Sequence, residues 1–295
     1  MRKILLSFAS SNFATSLARL DQQARDMKFY DEVHCVNESH LDPDFRNKFK
    51  RYLKFDVKGF GYWCWKPQIV LQMLDRLDEG DVILYVDAGC HLNTRGRKRL
   101  EEYFEIVSTC SSGILAFQSG LPTPEIPRPK KSHVWLEREW TKGDLLDHFD
   151  ARDDQILNRG QIVSGVFLIR KCPQSMEFMN SWKDVYFRDM SLVDNSKSIT
   201  PNCPEFKKHR HDQSVFSLLC AKMGATTVSY FEIGVMNATE EKWKKMWRYP
   251  VHARRDRPLI KKSQRNVTGI FKLQKRIRFA KALAQNVMQM RRPES

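Results

Sequence analysis

Asp87 stands directly after an apolar run, in Tyr85-Val86-Asp87-Ala88-Gly89-Cys90. A carboxylate at the end of a buried strand is poorly placed for packing and well placed to hold a metal or a sugar hydroxyl. Gln161-Ile162-Val163-Ser164-Gly165-Val166-Phe167 carries small residues into a second apolar run. Glycine there lets a ligand or another backbone approach closely. Ser7-Phe8-Ala9-Ser10 ends a third run with small polar residues. Asp212 and Gln213, in His211-Asp212-Gln213-Ser214-Val215-Phe216, open an apolar helix. Asp212 is there either a helix N-cap or a carboxylate facing a ligand. Gly59-Phe60-Gly61-Tyr62-Trp63-Cys64-Trp65-Lys66-Pro67 gathers aromatics and a lysine just before another helix. Aromatic faces with a cation suit a nucleotide base and its phosphates, or form an apolar plug beneath the helix start.

These residues need elements to position them. Residues 3–8, 32–36, 82–86, 113–117, 163–169 and 226–230 read as strands. The run 82–86 is continuously apolar, the pattern of a central parallel strand, and 113–117 and 163–169 repeat it. Residues 13–27 and 68–77 read as helices; Ile69, Val70, Met73, Leu74 and Leu77 share one face, and Pro67 suits a first turn. The alternation predicts a three-layer α/β fold with a mostly parallel central sheet. Ligands in such sheets bind beyond the carboxyl ends of the strands. The stretches 121–131 and 191–208 read as long loops, a length common in lids and binding loops.

The three segments around Asp87, Ser164-Gly165 and Asp212-Gln213, in that order, resemble GT-A-fold glycosyltransferases, which transfer a sugar from a nucleotide donor. Gly-Tyr-Trp-x-Trp-Lys-Pro ahead of Tyr-x-Asp-Ala-Gly is the most specific part of the likeness, which spans residues 1–255. It is nearest to bacterial or viral enzymes that build capsule, lipopolysaccharide or glycan chains. The resemblance implies that Asp87 is the first acid of an Asp-x-Asp motif binding ribose and a divalent metal. Gly89 stands where the second acid is usual, and hard cations want several oxygen ligands, so strong Mn²⁺ or Mg²⁺ binding does not follow. His252 either matches a late metal-ligating histidine or is a surface residue of a basic tail. Lys66 would neutralise the leaving diphosphate if no metal does. Ser164 and Gly165 would line the donor-sugar pocket, and Ser7, Tyr62, Trp65, Ala88, Gly89 and Gln161 would complete the donor surface. Asp212 and Gln213 would face the reacting carbon, as base in an inverting enzyme or as support for the cation in a retaining one. The implied activity is hexosyl transfer, with a uridine diphosphate sugar the expected donor.

The chain has 295 residues and a net charge of +15. Residues 242–295 hold 17 of the 50 basic residues and 2 of the 35 acidic ones, leaving the remainder neutral. The neutral part is thus 1–241, and the chain divides into a catalytic domain, 1–255, and a basic tail, 256–295. Ile270, Leu273, Ile277, Ala280, Ala284 and Val287 recur at helical spacing, with Lys272, Lys275, Arg276 and Arg278 largely off that face. Such a helix lies on an anionic membrane surface or packs on the body. A glycan or lipid-linked acceptor at the cytoplasmic membrane face fits the first reading. A polyanion- or nucleic-acid-binding protein is the competing class. Against it, the basic residues cluster in the tail and no nucleic-acid motif appears, so no specific nucleic acid is expected. A catalytically inactive scaffold is the third reading, allowed by Gly89. No apolar run approaches the roughly 18 residues of a membrane-spanning helix. The seven cysteines form no Cys-x-x-Cys pair, which argues against a zinc knuckle or redox motif, and their odd count and mostly apolar neighbours favour reduced thiols.

Overall fold

The computed structural model describes residues 1–235 and 239–254. The chain opens with β1 (Lys3–Phe8), α1 (Ala14–Asp26), β2 (Glu32–Val36) and α2 (Pro43–Phe49). The short turn α3 (Gly59–Tyr62) leads into α4 (Trp65–Leu74), β3 (Val82–Val86), β4 (His91–Leu92), α5 (Arg97–Thr109) and β5 (Ile114–Gln118). Three short helices follow: α6 (Glu137–Trp140), α7 (Gly143–His148) and α8 (Asp154–Leu157). Then come β6 (Ile162–Arg170), α9 (Pro173–Arg188), α10 (Asp212–Met223), β7 (Thr226–Ser229), α11 (Glu240–Lys245) and β8 (Val251–His252).

Six strands form one sheet in the order β2-β1-β3-β6-β5-β7. The expected three-layer architecture is present, because the strands alternate their side chains between two cores. Ile4, Leu6, Phe8, Ile83 and Tyr85 join α4, α9 and α10 on one face. Leu5, Leu84 and Val86 join α1 and α5 on the other. Each large side chain so buried contributes about 2 kcal/mol relative to exposure.

Five strands point the same way, and β6 does not. It runs antiparallel to both neighbours, with Val86 opposite Val166 and Ile114 opposite Ile169. The continuous apolar run at 163–169, taken as a parallel strand, therefore belongs to a reversed one. Helices cover both faces of β6, and burial on both faces sets that pattern whatever the strand direction. Reversal brings the start of β6, with Ser164 and Gly165, to the rim where β1 and β3 end.

The helix expected over 68–77 begins three residues earlier, at Trp65. Pro67 sits in its first turn, where the backbone N–H has no intrahelical partner to lose. Lys66 is thus a helical residue pointing into the protein, where it is wholly buried. The stretches 121–131 and 191–208 are irregular apart from 3₁₀ turns at Lys131–His133 and Met190–Leu192. The basic helix expected around 270–287, and the expected tail 256–295 as a whole, lie outside the described residues. Among the described residues, no helix is long and apolar enough to cross a membrane.

Candidate active site

One ammonium joins two carboxylates at the rim. Lys66 Nζ lies 2.8 Å from Asp212 Oδ2 and 3.2 Å from Asp87 Oδ1, and it donates to the Ser164 carbonyl at 3.2 Å. Its three N–H donors are thereby committed to protein acceptors. Burial disfavours the ammonium, but Asp212 and Asp87 outweigh it and hold Lys66 protonated above the ordinary lysine range. Asp212 occupies the first turn of α10, and its carboxylate does not cap the helix: it takes Lys66 and the Ser164 hydroxyl, the latter at 2.6 Å. The positive end of the helix dipole favours a carboxylate at that place.

Asp87 leaves the end of β3 with its backbone N–H bonded to the Gly165 carbonyl at 2.8 Å. The Tyr85 hydroxyl donates to Asp87 Oδ1 at 2.9 Å. Desolvation raises the Asp87 carboxyl above its ordinary value, the nearby Asp212 adding to it and Lys66 opposing. Gly165 has a specific reason to lack a side chain, since a Cβ there would stand 2.7 Å from Asp87 Oδ2. Each carboxylate is held by one oxygen; among the described residues nothing hydrogen-bonds Asp87 Oδ2 or Asp212 Oδ1. The Asp87 side chain is 38% exposed and that of Asp212 only 7%, so Asp87 is the more open of the two carboxylates.

Gln213 does not face the rim alone. Its amide donates to Gln161 Oε1 at 2.8 Å. Gln161 in turn donates to Glu137 Oε2 and Thr141 Oγ1, each at 3.0 Å. Glu137 also accepts the hydroxyls of Thr141 and Ser217. Burial raises the Glu137 carboxyl above the usual range against these hydrogen bonds. The sequence reading missed Glu137 and Thr141, because Glu137-Arg138-Glu139-Trp140-Thr141 looks like any exposed polar turn. Gln161 is wholly buried, so its place is in this network beneath the rim.

The aromatic segment has an unusual backbone. Residues 59 to 63 all have positive φ, at 61°, 52°, 93°, 52° and 60°. For the non-glycine residues this costs about 1 kcal/mol or more each. The turn sends Trp65 inward, where it stacks on Phe8 at 4.0 Å and donates to the Gly59 carbonyl. Trp65 is therefore part of the plug beneath the helix. Tyr62 and Trp63 instead turn their rings toward His211, at 5.3 and 5.8 Å.

The remaining expected residues are distributed around this centre. Ser7 is wholly buried, its hydroxyl without a hydrogen-bond partner among the described residues. The Ala88 carbonyl accepts from Arg19 at 2.9 Å, which fixes the turn through Gly89. His252 lies on β8 opposite His91 of β4. Its Nε2 bonds the Met246 carbonyl and its ring stacks on Trp243. Among the described residues no three His, Cys, Asp or Glu side chains are grouped to hold a metal ion. Lys66 already stands between the two carboxylates, so this donor set does not suit a divalent cation.

No protein-family model matches the chain, and no curated protein matches its sequence. Three solved structures that the chain is similar to each align over 85% of it. They include a glycosyltransferase involved in the glycosylation of the major capsid of PBCV-1, at TM-score 0.47 and 9% identity over 92% of that chain. Mouse xyloside xylosyltransferase 1, in its apo form, aligns at 0.43 and 9% over 96%. The galactosyltransferase LgtC, in complex with donor and acceptor sugar analogs, aligns at 0.42 and 11% over 86%.

Proposed function

We propose that this chain is a glycosyltransferase moving a hexose from a nucleotide diphosphate sugar, with uridine the expected base, to a glycan or lipid-linked acceptor in surface polysaccharide synthesis. The observation that carries the reading is the Asp87–Lys66–Asp212 triad at the carboxyl end of β3, with Gly165 leaving room beside Asp87 Oδ2. In this reading the bond from the sugar carbon to the diphosphate oxygen breaks and its electron pair leaves with the diphosphate. The acceptor oxygen bonds the sugar carbon, and its proton passes to Asp87 Oδ2. Lys66 and the Tyr85 hydroxyl fix the Asp87 carboxylate in place, and Asp212 holds Lys66. No step is routed through a metal.

Residues 242–295 are the expected contact with an anionic membrane at the cytoplasmic face. Supporting this, α11 carries Lys242, Lys244 and Lys245, and Trp247 is 55% exposed beside Arg248. The test is a thermal-shift panel of nucleoside diphosphates and nucleotide sugars, followed by a donor-hydrolysis assay. Binding of one nucleotide class and turnover of its sugar are expected, since a ligand of the native state raises the melting temperature. A panel with neither binding nor turnover overturns the reading.

A further inference from the structure

We propose that Lys58, held by His211, is the cation that receives the donor's diphosphate; this rests on the glycosyltransferase reading above. Lys66 has no N–H left for a departing anion, so the leaving group needs its counter-charge elsewhere. Lys58 Nζ lies 2.7 Å from His211 Nε2, and His211 Nδ1 lies 2.6 Å from the Val193 carbonyl. A carbonyl only accepts, so Nδ1 carries the ring proton and Nε2 offers its lone pair to the lysine. His211 is therefore neutral in this arrangement, and Lys58 keeps its charge and two further N–H donors.

Among the described residues, neither Lys58 nor Lys208 has a carboxylate at ion-pair distance. Burial and the like charge of Lys208 both lower the proton affinity of Lys58, with Asp212 opposing. An anion placed between the two lysines relieves that repulsion. The backbone also holds the pair in place at a cost. His211 has φ 53° and ψ −119°, a conformation suited to glycine. A strained non-glycine residue of this kind persists where its surroundings fix it. Here the rings of Tyr62 and Trp63, on the left-handed turn, flank the imidazole.

The same two segments thus meet twice. Lys66 reaches Asp212, and Lys58 reaches the adjacent His211. As the sugar–oxygen bond breaks, the electron pair moves onto the diphosphate. Lys58 hydrogen-bonds the phosphoryl oxygens without giving up its proton, while the acceptor's proton goes to Asp87. His211 is a positioning residue that aims Lys58.

The experiment titrates inorganic pyrophosphate into the full-length protein by calorimetry. Lys58→Met is expected to weaken binding by about tenfold or more, as for a lost charge-assisted hydrogen bond. Lys58→Arg retains most of it. His211→Leu weakens binding comparably, the Lys58→Met/His211→Leu double variant is no worse than either single variant, and His211→Gln, which can still accept from Lys58, restores it. That coupling is what a purely structural histidine would not produce. Pyrophosphate binding unchanged by Lys58→Met, or absent in the wild type, overturns the assignment. If the wild type still turns over a nucleotide sugar, the transferase reading stands without it. Conversely, Lys58-dependent pyrophosphate binding with no nucleotide-sugar binding or turnover keeps the anion site and overturns the transferase.

Discussion

Lys66 meets Asp212 at 2.8 Å with both side chains closed off from water. Removing one partner of a buried pair leaves an uncompensated charge, at a cost of about 3–5 kcal/mol. Lys66→Met and Asp212→Ala are each expected to destabilise by that amount in urea unfolding. The double variant Lys66→Met/Asp212→Leu is expected to recover a large part of the loss. Singles as stable as the wild type would show that the pair contributes nothing to the fold.

Asp87 gives a different outcome, because its side chain is partly open to solvent. Asp87→Asn keeps the shape and removes the proton acceptor. Transfer is expected to fall by about 10²–10⁴-fold with little change in melting temperature. Normal turnover in Asp87→Asn would remove this residue from the chemistry.

The rate should carry the mark of the raised Asp87 carboxyl. The group must be ionised to accept a proton, so activity rises as pH passes upward through its folded value. That value lies above the ordinary 3.8, raised mainly by desolvation. The acidic limb of the kcat/KM profile is therefore expected above 3.8, and a limb at or below it would contradict the assignment.

Glu137 predicts a pH effect on stability rather than on rate. Burial raises its carboxyl above the 4.5 of the unfolded chain. The folded state then holds the proton more tightly, so Glu137's contribution is full below about 4.5 and is lost as pH rises through the folded value. Glu137→Gln is expected to flatten this slope in urea midpoints measured across pH. An unchanged slope would show that another group titrates.

Gly165→Ala tests the close approach beside Asp87. The added methyl meets Asp87 Oδ2, the movable end of a side chain, at 2.7 Å. Turnover is expected to drop by about tenfold or more as the carboxylate is displaced, with the melting temperature nearly unchanged. Full activity in Gly165→Ala would mean that Asp87 need not hold its observed position.

The sequence placed Asp87, Ser164, Gly165 and Asp212 at strand ends and a helix start, because apolar runs and the residues that interrupt them mark those boundaries. It did not show that Lys66 lies between the two acids. That fact depends on α4 beginning before Pro67, and a first-turn proline is compatible with either start. The resemblance implies Ser7, Trp65 and Gln161 for the donor surface, yet all three turn inward, because side-chain direction at a strand end or a helix start depends on tertiary packing. Glu137 left no signal, since a buried glutamate and an exposed one look alike in a polar turn. The direction of β6 was equally hidden, because helices bury both of its faces.

That reversed strand has a consequence for how such a protein can diversify. Because β5 ends and β6 begins at the same rim, the whole connection 119–161 leaves and returns there. Within it Glu137, Thr141, Leu145, Leu146 and Ala151 are wholly buried and are tied to the fold, so change is cheap only at the exposed positions between them. One continuous stretch of chain thus carries both residues that the sheet cannot lose and surface that it does not constrain, while Gly165 and Asp87 belong to neither.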